Sequence, residues 1–383
     1  MQLLDQGFRR IMKDQIAVSD MSGQPEFSRF VFSHCQIGEL FKIYIPNLIF
    51  TVLTLGIYRF WAKTRIRRYV FSHVKVMGDG FEYTGTAGEL FKGFLLVMLV
   101  IILPFGILPA LFAESLGLAN QELAAVIYIV QTVFFACLFP IAIIRTYKYL
   151  FSRVNWRGVR FAQVAPTFGY WWRWMAFAVA MPVTLGLIYP FKQAVMTRYL
   201  VNHTRFGNQS CHVEISLKKL YGAFLISYVF CVLSVAAVGF GTWVILEMVD
   251  VAYPVGESML ADVYRTLVFM AAGILGSILL GLSVFYYYAK FISYVGSSLT
   301  LGECRFKVAV KPSHLLGFYL MNMLLMAMMF GFSFPVIMYR YLEFISRHFQ
   351  ASGLEALEQT IQVDREELKT GEGLADALDV GVF

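Results

Sequence analysis

Long stretches of this 383-residue chain carry no charge at all. No Asp, Glu, Lys, Arg or His interrupts Gly93–Ala113, Leu123–Ile144, Leu220–Leu246, Thr266–Ala289 or Leu315–Tyr339, each at least 21 residues long. About 20 apolar residues in a helix cross a ~30 Å hydrocarbon core, so these gaps exclude a soluble globular fold and point to a polytopic membrane protein. Two shorter uncharged runs, Ile43–Tyr58 and Trp174–Phe191, cover 16 and 18 residues.

Other absences narrow the chemistry. The five cysteines form no CxxC or Cys/His metal spacing, which excludes a disulfide framework and leaves free thiols. There is no GxSxG, Walker loop or HExxH, so enzyme chemistry has no specific support and no cofactor or metal is expected. The long uncharged runs hold only mild polar residues (Gln131, Asn322, Ser227, Ser277, Ser283), whereas ion-coupled transport usually needs an intramembrane ionisable group. The +7 formal charge is dispersed among membrane segments without a continuous basic face, which argues against nucleic acid and for an anionic leaflet. Met1–Gln15 lacks the apolar core of a cleaved signal. Its Met1, Leu4, Phe8, Ile11 and Met12 fall on one helical face, fitting an interfacial helix or an amphipathic start packed on the protein itself.

What is present is patterned. Arg59–Lys92, Arg145–Arg173, Lys192–Lys219 and Lys290–Lys311 are basic, while Glu114–Glu122 and Glu247–Arg265 are acidic. The positive-inside rule reads these as in, out, in, in, out, in along the chain, with a cytoplasmic N-terminus. Ile43–Tyr58 and Trp174–Phe191 each have cytoplasmic signals at both ends. Sixteen helical residues rise about 24 Å, short of the hydrocarbon thickness. Both are therefore expected to enter and leave on one side as re-entrant helical hairpins; an ordinary span lengthened by snorkelling Arg59 and Lys42 is the alternative.

The two segments share a motif. Thr54-Leu55-Gly56-Ile57-Tyr58 leads to Arg68-Tyr69, and 130 positions on Thr184-Leu185-Gly186-Leu187-Ile188-Tyr189 leads to Arg198-Tyr199. Alternation around Gly/Asn/Asp turns predicts β-hairpins over Arg68–Tyr83, Val154–Phe161, Arg198–Ile215 and Leu299–Val308, a small cytoplasmic β-platform. Leu315–Tyr339 opens a third cycle or crosses once. From about Ser352 a short helix gives way to an acidic tail.

Gly-Glu-Leu-Phe-Lys occurs at Gly38–Lys42 and again at Gly88–Lys92. A first-turn carboxylate favours the positive end of the helix dipole, and Thr86-Ala87-Gly88-Glu89 fits a capping box, so structure accounts for both glutamates. His73 and His203 occupy equivalent positions without metal-ligand spacing, which favours shared packing. Aromatic-basic clusters at Tyr58–Trp61, Tyr147–Tyr149, Tyr170–Trp174 and Tyr286–Lys290 read as interfacial anchors, with anionic headgroup binding as the functional alternative.

At Gly38-Glu39-Leu40-Phe41, Asn47, Thr54–Tyr58, Trp61-Ala62-Lys63, Arg68-Tyr69 and Phe81-Glu82-Tyr83-Thr84-Gly85 the chain resembles the YjgN family of bacterial inner-membrane proteins, defined as a domain of unknown function. The resemblance covers Phe27–Phe349. Ser33–Ile37 departs from a glycine-rich approach to the first helix. The family implies a multi-pass inner-membrane location and supplies no catalytic residues.

The expected fold is an all-α polytopic membrane protein, built from repeats of a re-entrant hairpin plus two transmembrane helices and decorated with small cytoplasmic β-hairpins. Its segments are an interfacial region (1–37), two membrane repeats (38–165 and 166–313), a partial third repeat (314–350) and an acidic flexible tail (351–383). The expected function is non-ion-coupled transport, or handling of a lipid or other amphiphile, at the repeat interface; the alternative is a scaffold acting through the β-hairpins and tail. Asn47, Thr54, Gly56, Thr184, Gly186 and Pro190 are the candidate path. Arg59, Trp61, Lys63, Arg68, Trp172, Arg173 and Arg198 are the candidate headgroup contacts. Expected partners are membrane lipids, a small solute or amphiphile, and a second copy or protein partner.

Overall fold

The computed structural model describes residues 27–109, 121–252, 259–329, 332–360 and 362. The expected N-terminal helix and most of the acidic tail lie outside them. The described residues form ten α-helices arranged as five pairs. The short pairs are α1 (Ile37–Leu53) with α2 (Arg59–His73), α5 (Thr167–Val183) with α6 (Tyr189–Asn202), and α9 (Pro312–Met329) with α10 (Phe334–His348). The long pairs are α3 (Ala87–Val97) with α4 (Gln121–Ser152), and α7 (Leu217–Ala252) with α8 (Met259–Ser297). Beyond Val97, α3 continues in wider π-type turns over Met98–Ile107, where Pro104 removes a backbone donor. Five helical stretches are long and apolar enough to cross a membrane: Ala87–Ile107, Ala124–Ser152, Leu217–Ala252, Asp262–Ser297 and Pro312–Met329.

The β elements require a correction to the expected fold class. They are not separate small hairpins but one sheet of eleven strands: β1 (Ser28–Arg29), β2 (Val31–Ser33), β3 (Val74–Val76), β4 (Asp79–Tyr83), β5 (Val154–Trp156), β6 (Val159–Gln163), β7 (Thr204–Phe206), β8 (Gln209–Val213), β9 (Leu299–Leu301), β10 (Cys304–Val308) and β11 (Phe349–Ser352). The physical reason is that an isolated hairpin is marginal and leaves unpaired edges, which neighbouring hairpins satisfy. Each hairpin pairs with the next, as in Phe81 with Trp156 and Phe161 with Phe206. The sheet's ends, β1 and β2, are consecutive in the chain; β1 pairs with β11 and β2 with β3, so the ribbon returns on itself. Phe30 and Val31, at that junction, both join the apolar cluster of Val76, Trp156, Phe206, Leu301 and Cys304. The 3₁₀ turn Leu354–Gln359 adds Leu354 and Leu357 to the same cluster.

Helix also extends further than the alternating pattern predicts. Residues 68–73 and 198–202 continue α2 and α6, and strand begins only at Val74 and Thr204. The return helices are stabilised by contacts that a strand would not make. Tyr69 stacks on His73, and Tyr199 packs against His203 with its ring tilted, each pair four residues apart.

The helices follow one another around a ring. Four of the first helices pack along their return partners, and α3 meets α4 through Glu89 with Tyr149 and, in its π-type continuation, Phe105 with Phe134. Each return helix packs on the next pair, and α10 packs on α1. Both ends of every pair meet the sheet, so the basic segments gather there, while Arg265 is held by Asp250 and Asp262 at the far end of α7 and α8. The two Thr-Leu-Gly tips have the same backbone. Leu55 and Leu185 have φ of 50° and 49°, and Gly56 and Gly186 have φ of 90° and 83°. In both, the glycine N–H returns five residues, to Thr51 O or Met181 O.

Candidate functional site

The five first helices share a buried stripe. Their fourth residues are Leu40, Leu90, Tyr170, Leu220 and Leu315, all buried. Their eleventh residues are Asn47, Val97, Phe177, Ser227 and Asn322, also all buried. Seven residues is nearly two helical turns, so both positions face the same neighbour. Val97 and Phe177 demonstrate that the eleventh position is satisfied by an apolar side chain. Asn47, Ser227 and Asn322 are polar departures that burial alone does not require, and the two amides must find partners there or lose ~1–3 kcal/mol.

Both asparagines meet an arginine from the return helix. Arg65 Nη1 donates to Asn47 Oδ1 at 3.3 Å, and Arg340 Nε donates to Asn322 Oδ1 at 2.9 Å. Asn47 is 1% exposed, and its Nδ2 has no hydrogen-bond partner among the described residues. In the α5–α6 pair the corresponding positions hold Phe177 and Val195, packed in one apolar cluster.

Asn47 lines a groove of about 430 Å³ between α1 and α2, walled by Lys42, Ile43, Pro46, Arg65, Arg68 and Tyr69. Three cations line it and no described carboxylate does. Glu39 lies beyond the lining and accepts from Tyr69 Oη at 3.0 Å. Burial pushes the Tyr69 phenol above its ordinary range, so it stays a donor. Like charges in one groove repel, and a bound anion relieves that repulsion. Beside the groove α1 is apolar and exposed, with Ile49 at 52% and Leu55 at the tip at 94%.

Of the candidate path residues, Asn47 alone lines this groove. Thr54 and Gly56 form the α1–α2 tip; Thr54 Oγ1 donates to Phe50 O at 2.7 Å and accepts from Tyr58 N at 2.9 Å. Thr184 and Gly186 form the equivalent α5–α6 tip, where Thr184 Oγ1 donates to Ala180 O at 2.9 Å and Pro190 is fully buried in the first turn of α6. Those tips belong to pairs separated in the ring by α3 and α4.

The candidate headgroup contacts are also dispersed. Arg68 lines the groove with Asn47. The Arg59 guanidinium lies over Phe60 and Phe94 at 5.0 and 4.8 Å, and Trp61 packs against Tyr58 and Phe91, which ties α2 to α3. Lys63 is half-buried on α2, and Trp172 is exposed on α5. Arg173 Nη1 donates to Gly169 O at 2.8 Å and stacks over Tyr199. Arg198 Nη2 donates to Ile215 O at 3.1 Å beside His212 and Tyr294. Lys42 and Arg65 were not singled out from the sequence as site residues. The signal that reveals Arg65 is the Asn–Arg pair eighteen residues apart, which recurs at 47/65 and 322/340.

The repeated histidines cap helices. His73 Nδ1 donates to Tyr69 O, His203 Nδ1 to Tyr199 O and His348 Nδ1 to Phe344 O, at 2.7 to 2.8 Å. The described residues contain no group of three or more metal-ligating side chains. Glu39 and Glu89 each reach a tyrosine of the return helix. Glu89 accepts from Tyr149 Oη at 2.7 Å and from Arg153 Nη2 at 3.0 Å.

Residues 28–377 match the family described as bacterial protein of unknown function (DUF898). Over 155 residues, 39% of this chain, the sequence is 28% identical to the inner membrane protein YjgN of Salmonella typhimurium. Over 160 residues, 42% of this chain, it is 27% identical to the inner membrane protein YjgN of Escherichia coli K12. The matched stretch spans 35% and 37% of those two relatives, a little over a third of their length. No solved structure matches.

Proposed function

The chain belongs to the DUF898 family of bacterial proteins, and from that premise we propose that it is a multi-pass inner-membrane protein that binds an anionic amphiphile between α1 and α2. The observation that carries this reading is the groove of Lys42, Arg65 and Arg68 around the buried amide of Asn47. Its cations suit a phosphoryl or carboxylate headgroup, and the exposed apolar face of α1 beside it suits an acyl chain.

The membrane placement follows from the pairs. The long pairs span, with the basic sheet end in the cytoplasm, and the α1–α2 and α5–α6 pairs, whose helices are absent from the five span-length stretches, are re-entrant. An α1 of 17 residues rises about 25 Å, while α2 carries Arg59, Lys63, Arg65, Arg67 and Arg68 and stays near the headgroups. The absence of a carboxylate from the long uncharged runs favours handling without ion coupling.

The test is binding of dioctanoyl phosphatidic acid to the purified full chain in detergent. Saturable binding that weakens with salt and falls at least tenfold in Arg65→Gln/Arg68→Gln is expected, with dioctanoyl phosphatidylcholine binding far less. Unchanged affinity in the double variant would refute the groove as the site.

A further inference from the structure

We propose that the α9–α10 pair holds a second, weaker site for the same phosphoryl-bearing anions; this rests on the reading of the α1–α2 groove. The two pairs are repeat-related and adjacent. Asn322 and Arg340 stand where Asn47 and Arg65 stand, with the same eighteen-residue spacing. The α9–α10 pair meets the α1–α2 pair directly: Phe334 stacks on Tyr44 at 5.4 Å, and Met338 and Leu342 share a cluster with Leu40 and Val70.

A groove of about 350 Å³ lies between α9 and α10, lined by Arg340, Arg347, Glu343, His314, His348 and the aromatic wall of Phe318 and Phe344. It overlaps the position of the α1–α2 groove, with its charges altered and with Asn322 outside its lining, behind Arg340. Glu343 takes the place of Arg68, and Arg347 takes the place of Ser72, one helical turn further along. Glu343 accepts from Arg347. An arriving anion therefore meets two guanidiniums, one of them already paired to a carboxylate, where the first groove offers three cations. The remaining short pair supplies a built-in contrast, since Phe177 and Val195 occupy the Asn and Arg positions there.

The experiment is native mass spectrometry of the full chain titrated with dioctanoyl phosphatidic acid, with inorganic phosphate as competitor. Two saturable equivalents of unequal affinity are expected. Arg340→Gln should remove the weaker equivalent and leave the tighter. Glu343→Gln, which does not touch Asn322, should tighten the weaker one roughly fivefold by removing a competing carboxylate. Displacement by phosphate supports recognition of the phosphoryl group itself; lipid binding that phosphate leaves in place supports recognition of a lipid headgroup. A single equivalent in the wild type, or two that survive both Arg340→Gln and Glu343→Gln unchanged, overturns the second site. Loss of neither equivalent in Arg65→Gln/Arg68→Gln overturns the first groove instead, so the two failures are distinguishable.

Discussion

Arg65 reaches Asn47 across the first short helical pair at 3.3 Å, and the same contact joins Arg340 to Asn322 across the third. Asn47 occupies a buried position that is valine in one pair and phenylalanine in another. The α7–α8 pair has Ser227 there, so the position takes polar and apolar side chains alike, and only the two asparagines meet an arginine.

Asn47→Val separates packing from binding at this position. The substitution replaces a buried amide nitrogen without a partner by the residue found at position 97. Thermal unfolding should change by no more than about 1 kcal/mol, or move upward. Phosphatidic acid affinity should fall about fivefold or more, because Arg65 loses the group that orients it. A large loss of stability with unchanged affinity would make Asn47 structural.

The tips should depend on their glycines. Gly186 sits at φ 83°, where an L side chain is strained. Gly186→Val should destabilise the protein by ~1–2 kcal/mol, measured by thermal or denaturant unfolding, and Leu185→Gly, at φ 49°, should be tolerated. The reverse order would contradict the shared turn.

Much of this was legible locally and little of it globally. Gly56, Gly186, Gly158 and Gly302 mark turns that form among a few adjacent residues, so sequence finds them. The return helices were harder, since the residues from Arg68 to Val76 alternate like a strand while Tyr69 and His73 stack as helical neighbours. The ring was not legible at all, because Ser28 meets Ala351 through a pairing of opposite chain ends. The site was half-legible. Asn47 and Arg68 stood out, but Arg65 read as one cation among several until Arg340 showed the repeated spacing.

The histidine caps are expected to be structural. His203→Ala removes a 2.7 Å bond to Tyr199 O and a ring contact at the end of α6. A destabilisation of ~0.5–1 kcal/mol is expected, with lipid binding unchanged. Loss of binding without loss of stability would reopen a functional role.

Cys211 provides a pH test. Burial pushes its thiol up to about 11, so at pH 8 about one molecule in a thousand carries the reactive thiolate. Iodoacetamide should label it slowly in the folded protein and about tenfold faster per pH unit up to about pH 11. Rapid labelling at pH 8 would mean that β8 opens.

The re-entrant reading is checked by sidedness. Val164→Cys, before α5, and Arg205→Cys, in β7 after α6, are both exposed and at the sheet end. In a background with the native cysteines replaced by alanine, both should label from the cytoplasmic side of the membrane. Labelling from opposite sides would require α5 to span.

The central claim is that an anionic amphiphile occupies the α1–α2 groove. A photoactivatable phosphatidic acid, crosslinked to the full chain in vesicles and mapped by peptide mass spectrometry, tests it most directly. The expected result is labelling between Ile37 and His73 that is lost in Arg65→Gln/Arg68→Gln. Labelling confined to the apolar crevice of α7 and α8, around Gly241 and Ala271, or unchanged in the double variant, would contradict it.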